Sequence, residues 1–112
     1  MSEIISRIDP DSEEFNINFK ENKALADELR DRQQEAALSR NERTIQRQRD
    51  RGKLLVHERI DALLDEDSPF LELSPLAAWD MHNGEAPGAG IITGIGRIAG
   101  LTCMIIANDP TV

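Results

Sequence analysis

The stretch "GIITGIGRIAGLTCMIIANDPTV", Gly90 to Val112, constrains this chain more tightly than any other. Two apolar runs flank Ala99-Gly100, and a two-residue connection of that kind joins antiparallel strands in a tight hairpin. Such a turn also sets the register: Ile98 should face Leu101, Gly96 face Cys103 and Gly94 face Ile105. The glycines then fall on one face of one strand, opposite bulkier partners, where a missing side chain lets another element come close. Gly90, Gly94 and Gly96 do not make a dinucleotide-binding fingerprint, because no strand precedes them and no helix follows.

Ahead of the hairpin the pattern changes to helix. Phe15, Phe19, Asn22, Ala26 and Leu29 recur at steps of three and four, with Pro10 just before and no glycine or proline from Ser12 to Leu38. The apolar stripe is narrow, so this helix is expected to lie on a surface that something else supplies. A second helix start is read at "SRNE", with Ser39 as cap and Glu42 reaching back. Arg40, Arg43, Arg47 and Arg51 then line one face, and Gly52 ends the helix in the C′ position. A third, short helix sets Leu55, Ile60, Leu63 and Leu64 on its apolar face and closes at "DEDSP", where Asp65, Glu66 and Asp67 read as a solvated turn. "FLEL" is a short strand, and a polar loop through "WDMHNGEAPG" leads to the hairpin. The fold class is α+β. Its final strand, "CMIIA", lacks a second neighbour, which leaves an open apolar edge of the kind complete domains avoid. A chain of this layout is expected to be a fragment that folds poorly alone.

Charge narrows the function. The net charge of −8 argues against a nucleic-acid binder, since phosphate contacts need basic surface. Yet Arg40 to Arg59 holds seven basic residues against three acidic ones, so an acidic chain carries one basic segment that needs a reason. One cysteine, Cys103, permits no internal disulfide, and its apolar setting predicts a buried, inert thiol. No apolar run reaches the roughly 18 residues of a membrane span, and the acidic start "MSEIISRIDPDSEEF" lacks an apolar leader core. A cytoplasmic location is expected.

The stretches "RGKLLVHERIDALLDEDSPFLELS" and "GAGIITGIGRIAGLTCMIIANDPTV" resemble the amino-terminal part of the carboxyltransferase (beta) subunit of biotin-dependent acyl-CoA carboxylases. "SPFLELS", "PGAGIITGIGRI" and "CMIIANDPTV" are closer to the methylcrotonoyl-CoA and geranyl-CoA carboxylase branch than to the propionyl-CoA one. The resemblance implies residues 1–38 as a helical extension and 39–112 as the incomplete beginning of a crotonase-like domain of the ββα-superhelix type. It implies carboxyl transfer from carboxybiotin to an acyl-CoA, branched unsaturated substrates such as 3-methylcrotonoyl-CoA being the class this branch serves. The partners implied are acyl-CoA, a biotin carboxylase and biotin carrier subunit, and further copies of the carboxyltransferase subunit. The oxyanion-holding glycine segments of the family come later, so this stretch contains no catalytic residue and is expected to be inactive by itself. Biotin is expected on another subunit, because no "MKM" attachment motif occurs here.

Within that frame, Arg47, Arg51 and Lys53 are candidate contacts to the phosphates of coenzyme A, the alternative being a solvated or subunit-bridging basic face. Asn108 and Thr111 of "NDPTV" are candidate contacts to its adenine end; a buried turn in which Asp109 caps local N–H groups is the equal alternative. His57 and His82 lack a second ligand at a supporting spacing and read as structural or surface residues, and no metal site is expected. A non-catalytic helical and hairpin interaction module is the rival reading.

Overall fold

The computed structural model describes residues 2–112. Two compact units divide the chain, Met1–Arg32 and Gln33–Val112. The first helix, α1 (Glu13–Leu38), runs from one into the other. In the first unit Ser12 caps α1, its hydroxyl accepting from the Phe15 amide at 3.1 Å. Phe15 and Phe19 stack with ring centroids 6.3 Å apart. Phe19 and Leu29 stay about half exposed, so within the described residues the narrow stripe is not fully covered. Ion pairs Lys23–Asp27 and Arg32–Glu28, each four residues apart, support the helix from its polar side.

In the second unit α1 ends and α2 (Glu42–Asp50) begins after a short gap. The cap of α2 is Asn41, whose side chain accepts from the Arg43 amide at 2.9 Å. Ser39 was the expected cap, but its amide still closes the last turn of α1 onto Glu35 O at 2.8 Å. It therefore belongs to the helix before. Gly52 does stop α2: its φ is +68°, and Lys53 N–H reaches back to Gln48 O at 3.0 Å in a Schellman arrangement. Across that turn Arg49 grips Glu58 with two N–H groups, and Glu58 also accepts the Leu55 amide at the start of α3 (Val56–Leu63). The buried face of α3 is Val56 and Ile60, continued by Leu64; Leu63, expected inside, is half exposed. A spacing of four along the helix selects Val56, Ile60 and Leu64 over Leu63.

Strands β1 (Leu71–Leu73), β2 (Ile91–Ile98) and β3 (Leu101–Asn108) form one antiparallel sheet in that order. The hairpin register is the expected one, with Ile98 opposite Leu101, Gly96 opposite Cys103 and Gly94 opposite Ile105. Ala99 and Gly100 both take positive φ, +49° and +81°, as a two-residue turn matched to strand twist requires. Ile92, Gly94, Gly96 and Ile98 share the inner face with Ile105 and Ala107, over a core of Val56, Ile60, Ile92 and Ile105 joined by Leu64 and Phe70. Both inner glycines are close-approach positions. A Cβ on Gly94 would stand 2.2 Å from the Phe70 ring and 2.7 Å from Leu71 O, and one on Gly96 would stand 2.3 Å from Leu64 Cδ2. Cys103, expected buried, is only half-buried beside Leu101 O, because it lies near the turn end of the hairpin.

Asp65 corrects the expectation of a solvated acidic turn. Its two carboxylate oxygens accept the Ala99 and Gly100 amides at 2.7 and 2.8 Å, and its own amide donates to Arg97 O at 2.9 Å. The segment leaving α3 thus clamps the hairpin turn. Asp65→Ala should loosen that turn by about 2 kcal/mol, the usual scale for hydrogen bonds to a charged acceptor, with Asp65→Asn losing less. Hydrogen exchange at the Ala99 and Gly100 amides checks this; unchanged rates in Asp65→Ala would contradict the clamp. On the outer face Leu71, Met104 and Ile106 are exposed, and among the described residues β3 has a strand neighbour on one side only.

Candidate functional site

The last residues of β3 and the turn after it, Asn108 to Thr111, are held from four directions. Asp109 is the centre, its side chain 2% exposed and that of its partner Arg40 8%. One carboxylate oxygen accepts a hydrogen bond from Arg40 Nε at 2.9 Å, with Nη2 at 2.9 Å as the ion-pair contact, and the other accepts the Thr111 amide at 2.9 Å and the Thr111 hydroxyl at 2.5 Å. Three hydrogen bonds and the ion pair on one carboxylate satisfy a buried charge that would otherwise be costly. Arg40 spends its remaining fork on the end of α1, donating Nη1 to Ala36 O at 2.7 Å and Ser39 O at 2.8 Å. The Asp109 amide donates to Gly90 O at 2.9 Å, where β2 begins. From α3, Arg59 donates to Asn108 O, and from the first turn of α2 the Thr44 hydroxyl lies 3.2 Å from Thr111 O.

The electrostatics follow from that geometry. Burial pushes the Asp109 carboxyl up, but the Thr111 hydroxyl and amide and the Arg40 guanidinium together outweigh it and hold the group below the usual carboxylate range. Arg40 and Asp109 are therefore a charged pair at neutral pH. Beside them a groove of about 490 Å³ opens, lined by Ser39, Asn41, Glu85, Thr111 and Val112.

The sequence-predicted residues fall into two sets. Thr111 is buried in the turn with its hydroxyl proton committed to Asp109, and Asn108 is exposed with its carbonyl held by Arg59. Arg47, Arg51 and Lys53 are exposed along α2 and the turn that ends it. Thr44, one helical turn before Arg47, is the residue of α2 that reaches Thr111, so Arg51 stands roughly 10 Å further along the axis at 1.5 Å per residue. The basic face and the turn are thus neighbours on one element rather than a single cluster. Arg40 is not on that exposed face, as the spacing had placed it, because it precedes Asn41 and turns inward to Asp109. His57 is half-buried with Nε2 3.8 Å from Glu72 Oε2, and His82 is exposed in the β1–β2 loop.

This arrangement occurs in a chain whose residues 47–112 match the carboxyl transferase domain family. The chain is 58% identical over 92 residues to the biotin-dependent 3-methylcrotonyl-coenzyme A carboxylase beta1 subunit of Mycobacterium tuberculosis, covering 82% of this chain and 17% of that protein. Its fold is similar to the P. aeruginosa geranyl-CoA carboxylase beta subunit, with a TM-score of 0.79 and 35% identity over 97% of this chain and 20% of the other. A second solved structure, the transcarboxylase 12S core with hydrolysed methylmalonyl-coenzyme A bound, superposes with a TM-score of 0.67 at 28% identity, covering 78% of this chain and 18% of that one. The chain belongs to the carboxyl transferase domain family, with methylcrotonyl-CoA and geranyl-CoA carboxylase beta subunits among its relatives. It spans about a fifth of the length of the relatives it matches.

Proposed function

We propose that this chain forms the leading helices and first strands of a subunit that moves a carboxyl group from carboxybiotin to an acyl-CoA of the 3-methylcrotonoyl class. The observation that carries the reading is the convergence of Arg40 from the α1–α2 connection, Thr44 of α2, Arg59 of α3 and Gly90 just ahead of β2 on the Asn108–Thr111 turn in a chain of this family. Four segments immobilise one turn, buried at Asp109 and Thr111 and exposed at Asn108 and Pro110, beside a polar groove, which is what a preorganised binding edge requires. In this reading Asn108 and Thr111 border the adenine end of coenzyme A, and Arg47, Arg51 and Lys53 supply cations for its phosphates. Biotin is supplied from another subunit, and no residue of this chain holds it. The partners are then a biotin carboxylase and carrier subunit and further carboxyltransferase subunits, in the cytoplasm. Among the described residues no helix is long and apolar enough to cross a membrane.

The test is steady-state kinetics of the complete biotin-dependent holoenzyme with 3-methylcrotonoyl-CoA. Replacing Arg47, Arg51 and Lys53 together by glutamine should raise the KM for acyl-CoA about tenfold, the scale of one or two lost charge-assisted contacts, with little change in kcat. An unchanged KM removes the phosphate role. Absence of acyl-CoA carboxylation by the holoenzyme removes the reading as a whole.

A further inference from the structure

We infer that Arg40 is a positioning residue for the coenzyme A edge, acting through Asp109 on the Asn108–Thr111 turn. The inference rests on the proposed reading of that turn as the border of the acyl-CoA site. Its basis is how the guanidinium is used. Arg40 lies 69 residues before Asp109, its side chain is almost fully buried, and its bonds are divided between two elements. Nη1 donates to the carbonyls of Ala36, in the last turn of α1, and Ser39, just after it, while Nε donates to one oxygen of Asp109 and Nη2 faces the same oxygen in the ion pair. The other Asp109 oxygen holds both the amide and the hydroxyl of Thr111. A displacement of α1 is therefore passed through one planar group to the carboxylate and from it to the turn.

The chemistry explains why arginine is needed. A lysine ammonium could face Asp109, but it has no rigid fork with which to bond two helix-end carbonyls and a carboxylate in fixed directions. Arg40 touches no substrate in this account. It narrows the positions that Asn108 and Thr111 adopt, so its loss should weaken acyl-CoA binding without altering the transfer step.

The experiment is carried out on the complete holoenzyme with Arg40→Ala, Arg40→Lys and Asn108→Ala, measuring KM for acyl-CoA and kcat separately. Arg40→Ala should raise KM about tenfold with kcat per folded active site, counted by active-site titration, within twofold of the parent, and Arg40→Lys should recover part of the affinity. A merely structural role would lower only the number of folded active sites and leave KM unchanged; an unchanged KM overturns the inference. If Arg40→Ala does not assemble, Arg40→Lys carries the test alone: a KM rise of about threefold supports positioning, and an unchanged KM overturns it. Asn108→Ala separates the two levels. A raised KM for Asn108→Ala with no effect at Arg40 defeats only this inference, whereas unchanged KM in all three variants defeats the coenzyme A reading beneath it too.

Discussion

Gly94→Ala should be the most damaging single-methyl change in the sheet, costing about 3 kcal/mol or more, at the upper end for overpacking. The added carbon would lie 2.2 and 2.4 Å from the Phe70 ring and 2.7 Å from Leu71 O. The ring can swing only by leaving the core, and the carbonyl belongs to β1, whose pairing with β2 places it there. Gly96→Ala meets a different obstacle. Its nearest neighbour is the Cδ2 end of Leu64 at 2.3 Å, a side chain that can change rotamer, with Ile105 Cδ1 next at 3.2 Å. Its cost should be smaller, about 1 kcal/mol, since a flexible neighbour relieves part of the clash. Native-state hydrogen exchange across β2 and β3 compares the two. More than a hundredfold faster exchange in Gly94→Ala, with a modest increase in Gly96→Ala, is the expected order; the reverse order would contradict the close-approach account.

Arg40→Ala should cost about 3–5 kcal/mol, because it leaves the Asp109 carboxylate buried with its cation removed. Arg40→Ala with Asp109→Ala should be less severe than Arg40→Ala alone, since the uncompensated charge is gone. The pair also sets an acid limit. Asp109 titrates below its ordinary value of 3.8, so folding favours the ionised form. The stabilisation is complete at pH values above about 4 and is lost as pH falls below that through the folded-state value. The amides of Asp109, Thr111 and Val112 should therefore lose protection on acidification through that range. In Asp109→Asn this acid-dependent part should be absent; an identical acid profile would mean that another carboxyl group governs it.

The hairpin was legible because its information is local. Ala99 and Gly100 must both adopt positive φ, and a two-residue turn then assigns every pairing along β2 and β3. Gly52 was legible for the same reason, its φ of +68° being a requirement of the helix end it terminates. Neighbouring candidates were harder to separate. Ser39 and Asn41 are both good caps, and only the extra α1 hydrogen bond of Ser39 decides between them. Val56 and Leu63 both suit an apolar face, and the direction from which the sheet approaches α3 selects Val56. What could not be read were contacts between distant charged residues. Asp65 meets the hairpin turn 34 and 35 residues later, and Arg40 meets Asp109 across 69. No spacing rule links such positions, so Asp65 read as solvated and Arg40 as part of an exposed basic face. For the turn itself, the alternative in which Asp109 caps local N–H groups describes the observed geometry, and that capping is compatible with a ligand on its outer side.

The central claim is that the Asn108–Val112 segment borders an acyl-CoA site. Hydrogen exchange of the complete holoenzyme, with and without saturating coenzyme A, tests it most directly. The account predicts slower exchange in a peptide spanning 108–112 when coenzyme A is bound, with smaller changes in α2 near Arg47 and Arg51. Coenzyme A binding that leaves both segments unchanged would contradict it.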